Sequence, residues 1–211
     1  SGTDQQTIIK NLKNVTNFSI YEFQKGEIAE NKRRILKSTL NKTNLEEPLF
    51  LSLKIPSAYS IFKQENKTIW FQKLLKNGSS NIIVSELNIT KEVFESFTLK
   101  DAIILRDSLN KSFVPGRNEG SFMITEQAYM PYFSKVKVNG FSAKETRGTW
   151  EVNGDFMGGP FVNYFVKDSI NNRILYFEGF IFSPSQRKRD GIIEIESVSY
   201  THLRAHETGG Y

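Results

Sequence analysis

Five carboxylates, Glu119, Glu126, Glu145, Asp155 and Glu178, fall in the middle of the chain with Arg147 among them. Two carboxylates held at different pKa values would let one protonate a leaving group while the other activates water, the chemistry of a hydrolase. The competing reading is that strand charges pair with one another or face solvent. A second constellation, His202 and His206, has the i, i+4 spacing that puts two imidazoles on one helix face for a metal. Both lie in a C-terminal run that reads as foreign to the rest of the chain. Without them the chain has neither His nor Cys, so Ser-His-Asp triads, Cys-His pairs and zinc sites built on those ligands are excluded. No catalytic residue, metal ligand or cofactor is assigned.

Binding is the other class of chemistry. Phe156-Met157-Gly158-Gly159-Pro160 reads as a wide loop between two strands. Its paired glycines permit positive φ or a close backbone approach, and Pro160 stiffens entry to the next strand. No helix follows, so a phosphate cradle is disfavoured. The polar loop Gly116-Arg117-Asn118-Glu119-Gly120 combines glycine with charge in the same way. Loops on a rigid sheet are common sites of recognition. If the two share one end of the sheet, Arg117, Glu119, Arg147, Trp150, Asp155 and Met157 form one patch with Gly158 and Gly159. The competing reading tucks Phe156 and Met157 into the core and packs Trp150 there as well, where it could not stack on a sugar or a partner.

These residues depend on a scaffold centred on residues 141–184, three aromatic and β-branched runs separated by turn-rich breaks, the pattern of an antiparallel meander. Period-two alternation puts Val162, Tyr164 and Val166 on one face with Leu175, Phe177 and Ile181. The other face carries Phe161, Asn163, Phe165 and Lys167 with Ile174, Tyr176, Glu178, Phe180 and Phe182. The first face is core. The second mixes aromatics with polar groups and is either half-covered or a binding surface. The turn at residues 168–173 admits two registers, closing on Ile170 or on Asp168 opposite Arg173.

Ahead of the meander, Thr3 and Gln6 with Ile8, Ile9, Leu12 and Val15 read as a capped amphipathic helix, residues 18–23 as a strand and residues 28–40 as a second helix. The basic run Lys32, Arg33, Arg34 and Lys37 reads as a solvated helix face. Strands are expected over residues 49–55, 59–65, 68–75 and 80–86. Thr98 with Asp101 caps a helix to Asn110 whose apolar face is Ala102, Ile103, Leu105 and Leu109. Short strands follow over residues 121–126 and around Val136 and Val138, with a turn at Asn139-Gly140. Ile192, Ile193 and Ile195 open a closing helix. The fold class is α+β, a single antiparallel sheet with helices packed on one face, similar by analogy of element order to the sandwich of the PsbP and Mog1 proteins.

The 211 residues are 38% hydrophobic and carry a net charge of +5, enough for one well-buried domain and a fragment of another. Lys and Asn are scattered through the chain, so the basic pI of about 9.2 implies weak attraction to anionic surfaces, and no nucleic-acid partner is expected. No run reaches the ~18 apolar residues of a membrane span, and the first residues are no signal peptide.

At Arg106-Asp107-Ser108, Val114-Pro115-Gly116, residues 119–126 (EGSFMITE), Asn139-Gly140, residues 147–150 (RGTW) and residues 155–161 (DFMGGPF), the chain resembles a Bacteroidota lipoprotein family, domain-of-unknown-function family 4837. The pattern continues through Tyr164, Asp168, Arg173, Gly179, Pro184, Lys188 and Arg189. The resemblance covers roughly residues 4–197. It implies an extracytoplasmic, lipid-anchored setting in the cell envelope, with an acylated Cys and a further α/β segment ahead of this chain, and it supplies no catalytic residues. Residues 198–208 (VSYTHLRAHET) resemble one reading frame of a transposon-based sequencing-library adapter, as at the end of a metagenomic fragment. The domains expected are residues 1–45, a remnant of the preceding segment; 46–197, the antiparallel α+β domain; and 198–211, a non-native tail. Two functions stay open: a non-catalytic envelope domain that binds a protein partner or serves as a scaffold, and a carboxylate-dependent hydrolase of an envelope glycan or ester.

Overall fold

The Asp4 carboxylate accepts a hydrogen bond from the Thr7 amide at 2.9 Å and caps a single helix, α1 (Gln5–Lys37). The strand expected over residues 18–23 is part of this helix. Its aromatic and β-branched residues have only a weak strand preference. The flanking segments are good helix formers, tied by i, i+3 and i, i+4 pairs from Glu22 to Lys25 and from Glu30 to Arg33 and Arg34. The computed structural model describes residues 4–40, 49, 51–184, 186–199 and 204–205.

The strands are β1 (Leu51–Ser52), β2 (Ser60–Glu65), β3 (Thr68–Leu75), β4 (Gly78–Leu87), β5 (Met123–Thr125), β6 (Tyr132–Val138), β7 (Phe141–Val152), β8 (Asp155–Asp168), β9 (Arg173–Phe182) and β10 (Arg204–Ala205). Eight of them form one open antiparallel sheet in the order β2-β3-β4-β9-β8-β7-β5, with β6 beside β5 on the outer edge of β7. β1 pairs with β10 in a separate ribbon. Asp168 lies opposite Arg173, which selects one of the two registers, and Asn172 supplies the positive φ of 55° in that turn. Asn139 and Gly140 take positive φ where β6 turns into β7.

Both faces of the sheet are covered. Val162, Tyr164, Val166, Leu175, Phe177 and Ile181 pack with Ile69, Phe71, Ile82 and Val84 beneath Leu51, Leu53, Ile55 and Tyr59. The closing helix, α4 (Arg189–Ser199), lies on the same face through Ile195 and Val198. α1 rides on α4 and reaches this core at Ile35. The opposite face, mixed in sequence, is buried under α2 (Lys91–Ser96) and α3 (Leu99–Phe113). The α+β class and the open antiparallel sheet are as expected. The two helices anticipated on one face instead take a face each, because Glu178 on the second face is met by Arg106 and Asn110 of α3. The reciprocal bonds between Thr98 and Asp101 form the capping box that opens α3. α2, capped by Thr90, carries too short an apolar period to be read in advance.

The boundary drawn at residue 197 falls inside α4, where Val198 and Ser199 are buried. His202 and His206 lie outside the described residues. Among the described residues no helix is long and apolar enough to cross a membrane.

Candidate functional site

The five carboxylates do not meet. Alternation along paired strands places Glu145 and Glu178 on opposite faces of the sheet. Glu119 and Asp155 lie at the end where β7 turns into β8. Glu126 stands beside Glu151 on the β5–β7 edge, where burial and a hydrogen bond shared with Glu126 hold the Glu151 carboxyl above the usual range. Among the described residues no group of three metal-ligating side chains occurs.

The two candidate loops do converge. The Phe122 amide donates to Asn153 Oδ1 at 2.6 Å and the Asn153 amide donates to the Phe122 carbonyl at 3.2 Å. These bonds tie the segment after Gly116–Gly120 to the β7–β8 turn. Arg117 and Glu119 are exposed there, Asp155 and Met157 are half-buried, and Phe156 is fully exposed. The turn itself is Asn153-Gly154, with Gly154 at φ 79°, and residues 156–160 belong to β8. Gly158 and Gly159 serve close approach: a Cβ on Gly158 would sit 2.8 Å from the Trp150 carbonyl, and one on Gly159 would collide with the Ile181 carbonyl.

Trp150 and Arg147 stand apart from this surface. Trp150 is 3% exposed and packs edge-on against Phe180, ring centroids 5.7 Å apart. Arg147 lies on the α4 face, where Nε and Nη2 donate to Glu145 at 2.5 and 3.0 Å and Nη1 donates to Glu196. Burial pushes its guanidinium down, but the Glu145 bond and the surrounding negative charge outweigh this and raise it. One guanidinium serves two carboxylates, and burial holds Glu196 above the usual carboxylate range in spite of Arg147.

The least legible cluster is the most enclosed. Arg106 on α3 donates from Nε and Nη2 to Glu178 Oε1 at 3.0 and 2.7 Å, and from Nη1 to Thr125 Oγ1 at 2.9 Å. Its guanidinium also lies 3.8 Å over the Phe161 ring. The Tyr176 hydroxyl donates to Glu178 Oε2, and burial together with the Glu178 charge raises the Tyr176 pKa well above its ordinary value. Arg106 and Glu178 have no solvent-exposed side-chain surface. Lys144, also buried, donates to the carbonyls of Phe94, Glu95 and Phe97 at the C-terminal end of α2, the position where a cation stabilises a helix. A lone Arg in an amphipathic helix and a lone Glu in a strand give no local signal that they will pair. The Arg106–Glu178 pair is sealed in the core, whereas Lys144 borders a small hollow with Phe94 and Glu95.

The family model described as "Domain of unknown function (DUF4837)" matches residues 38–201. The chain belongs to the DUF4837 family. The matched span takes in the whole eight-stranded sheet and α2 to α4, while α1 precedes it. Among solved structures the DUF4837 chain is similar to LpqN, involved in cell envelope biogenesis of Mycobacterium tuberculosis, at 12% identity and a TM-score of 0.42 over 72% of this chain and 80% of that one. No curated protein matches it.

Proposed function

We propose that this DUF4837 domain is a non-catalytic cell-envelope module that captures a protein partner at the β7–β8 end of its sheet. Phe156 carries the reading: a fully exposed aromatic at the tip of a long hairpin, with Asp155 beside it and Arg117 and Glu119 on the hydrogen-bonded neighbouring loop. Aromatic anchors ringed by charge are the side chains that dominate protein interfaces. The extracytoplasmic, lipid-anchored setting implied by the family resemblance is part of the proposal, and palmitate labelling of the full-length protein checks it.

Placing p-benzoylphenylalanine at Phe156 and irradiating cells that make the full-length protein tests the docking surface. A discrete adduct from position 156, absent from position Asn172 at the opposite end of β8 and suppressed by Asp155→Ala with Arg117→Ala, is expected. Equal adducts from both positions, or none, would overturn it. The hydrolase alternative rests on Glu126 and Glu151, two carboxyls sharing a hydrogen bond with one held protonated at higher pH, the arrangement of an acid and base pair. Turnover of an envelope glycan or ester that is lost in Glu126→Gln would favour that reading.

A further inference from the structure

α1 does not lie flush on the domain. A groove of about 960 Å³ runs between α1, α4 and the sheet, within the usual size of a small-molecule site. Tyr21, Lys25, Ile28 and Lys32 recur at helical spacing and so line it from one face of α1. Ile192 and Ile193 face them from α4, with Pro160 of β8 alongside. The two helices are clamped by Glu27, whose carboxylate accepts from both Arg189 Nη atoms at 2.8 and 2.5 Å.

The walls are therefore apolar and the rim is cationic. Lys25, Lys32, Lys137, Arg147, Lys188 and Arg189 all line the groove, and Glu196 is the one carboxylate that does. Arg147 and Arg189 are neutralised by their own carboxylates, and Lys25 stands 3.8 Å from Glu22. Among the described residues neither Lys137 on β6 nor Lys188 has a carboxylate within 4 Å, and the Lys188 ammonium donates to the Gln186 carbonyl at 3.4 Å. Point-charge lysines around an apolar trough match a ligand with a compact anionic head and a hydrocarbon body.

We infer that the groove between α1 and α4 binds a single-chain acidic lipid, its anionic head at Lys137 and Lys188 and its chain against Ile28, Ile192 and Ile193. This site is separate from the β7–β8 end and stands or falls without it.

Calorimetry with oleoyl-lysophosphatidate below its micellar concentration tests the assignment on the whole chain. Oleoyl-lysophosphatidylcholine shares the hydrocarbon chain without the net charge, and glycerol 3-phosphate shares the head without the chain. Lysophosphatidate is expected to bind at least about tenfold more tightly than either, with affinity falling as salt rises. Lys137→Glu with Lys188→Glu should weaken it at least about tenfold at an unchanged melting temperature, and Ala29→Trp, which fills the groove from the α1 wall beside Ile28, should block it. Equal binding of the choline lipid, equal binding of glycerol phosphate, or full affinity in the charge-reversed variant would each overturn the inference.

Discussion

Gly179 of β9 lies directly beneath Ile195 of α4: a Cβ on the glycine would fall inside the van der Waals radius of Ile195 Cγ2. The helix can seat on the sheet because that position has no side chain. Gly179→Ala should therefore cost about 1–3 kcal/mol, as overpacking a fixed interface does. Pairing it with Ile195→Val, which thins the helix side, should recover part of the loss in urea denaturation. A neutral Gly179→Ala would show that α4 is free to lift.

Arg106 and Glu178 are coupled in a fully buried pair. Glu178→Leu alone removes the fully buried carboxylate and leaves the guanidinium only the half-buried Asp107, whose Oδ1 accepts from Arg106 Nη1 at 3.2 Å, and should destabilise the domain by about 3–5 kcal/mol. The double variant Arg106→Met with Glu178→Leu should be less destabilised than the sum of the singles by about 1–3 kcal/mol, the size of coupling expected between contacting residues. Simple additivity would mean that Thr125, Asp107 and Phe161, and not Glu178, hold the arginine.

What could be read in advance was whatever has a short period. Alternation in residues 161–167 and 174–182 is visible in the letters, and so is the Thr98-Asp101 cap. Which elements cover a face is not, because the partners of Glu178 sit on a helix 68 to 72 residues earlier. Gly158-Gly159 was expected as a loop because glycine signals turns and close approaches with the same letter, and only the neighbouring Trp150 and Ile181 carbonyls separate the two. The candidate patch was half legible. Loop composition pointed to Arg117, Glu119 and Asp155, whereas Arg147 was drawn in by its place in the sequence although β7 turns it to the other face. Phe156, the most exposed aromatic of the region, could be read into the core or onto a binding loop, because aromatic character carries no sign of direction.

Asp168 supplies the pH dependence. Burial pushes its carboxyl up, but hydrogen bonds from Asn171 and Arg173 outweigh this and hold it below the usual range. Its stabilising contribution is therefore complete above the unfolded value of about 3.9 and is lost as pH falls through the lower folded value. Asp168→Asn should cost about 1.5–3 kcal/mol at pH 7, as loss of charge-assisted bonds does. The gap to the parent protein should close below about pH 4 in denaturation profiles. Glu86 shares Arg173 and is also held low, so the variant's own profile keeps a residual acid limb. A gap that stays constant to pH 2 would show that the turn geometry, not the charge, is what Asp168 contributes.

The position of β4 beside β9 has a consequence for synthesis of the chain. Ser79 pairs with Phe182 and Leu87 with Ile174, so the early hairpins β2 to β4 cannot complete their inner edge until the last strand of the sheet has left the ribosome. At about 5–20 residues per second that edge waits on the order of 5–20 s with Ile82, Ile83 and Val84 uncovered. The nascent hairpin therefore carries a strand with one open edge through this interval, and a holding chaperone rather than rapid local folding is what would keep it from pairing with a neighbour.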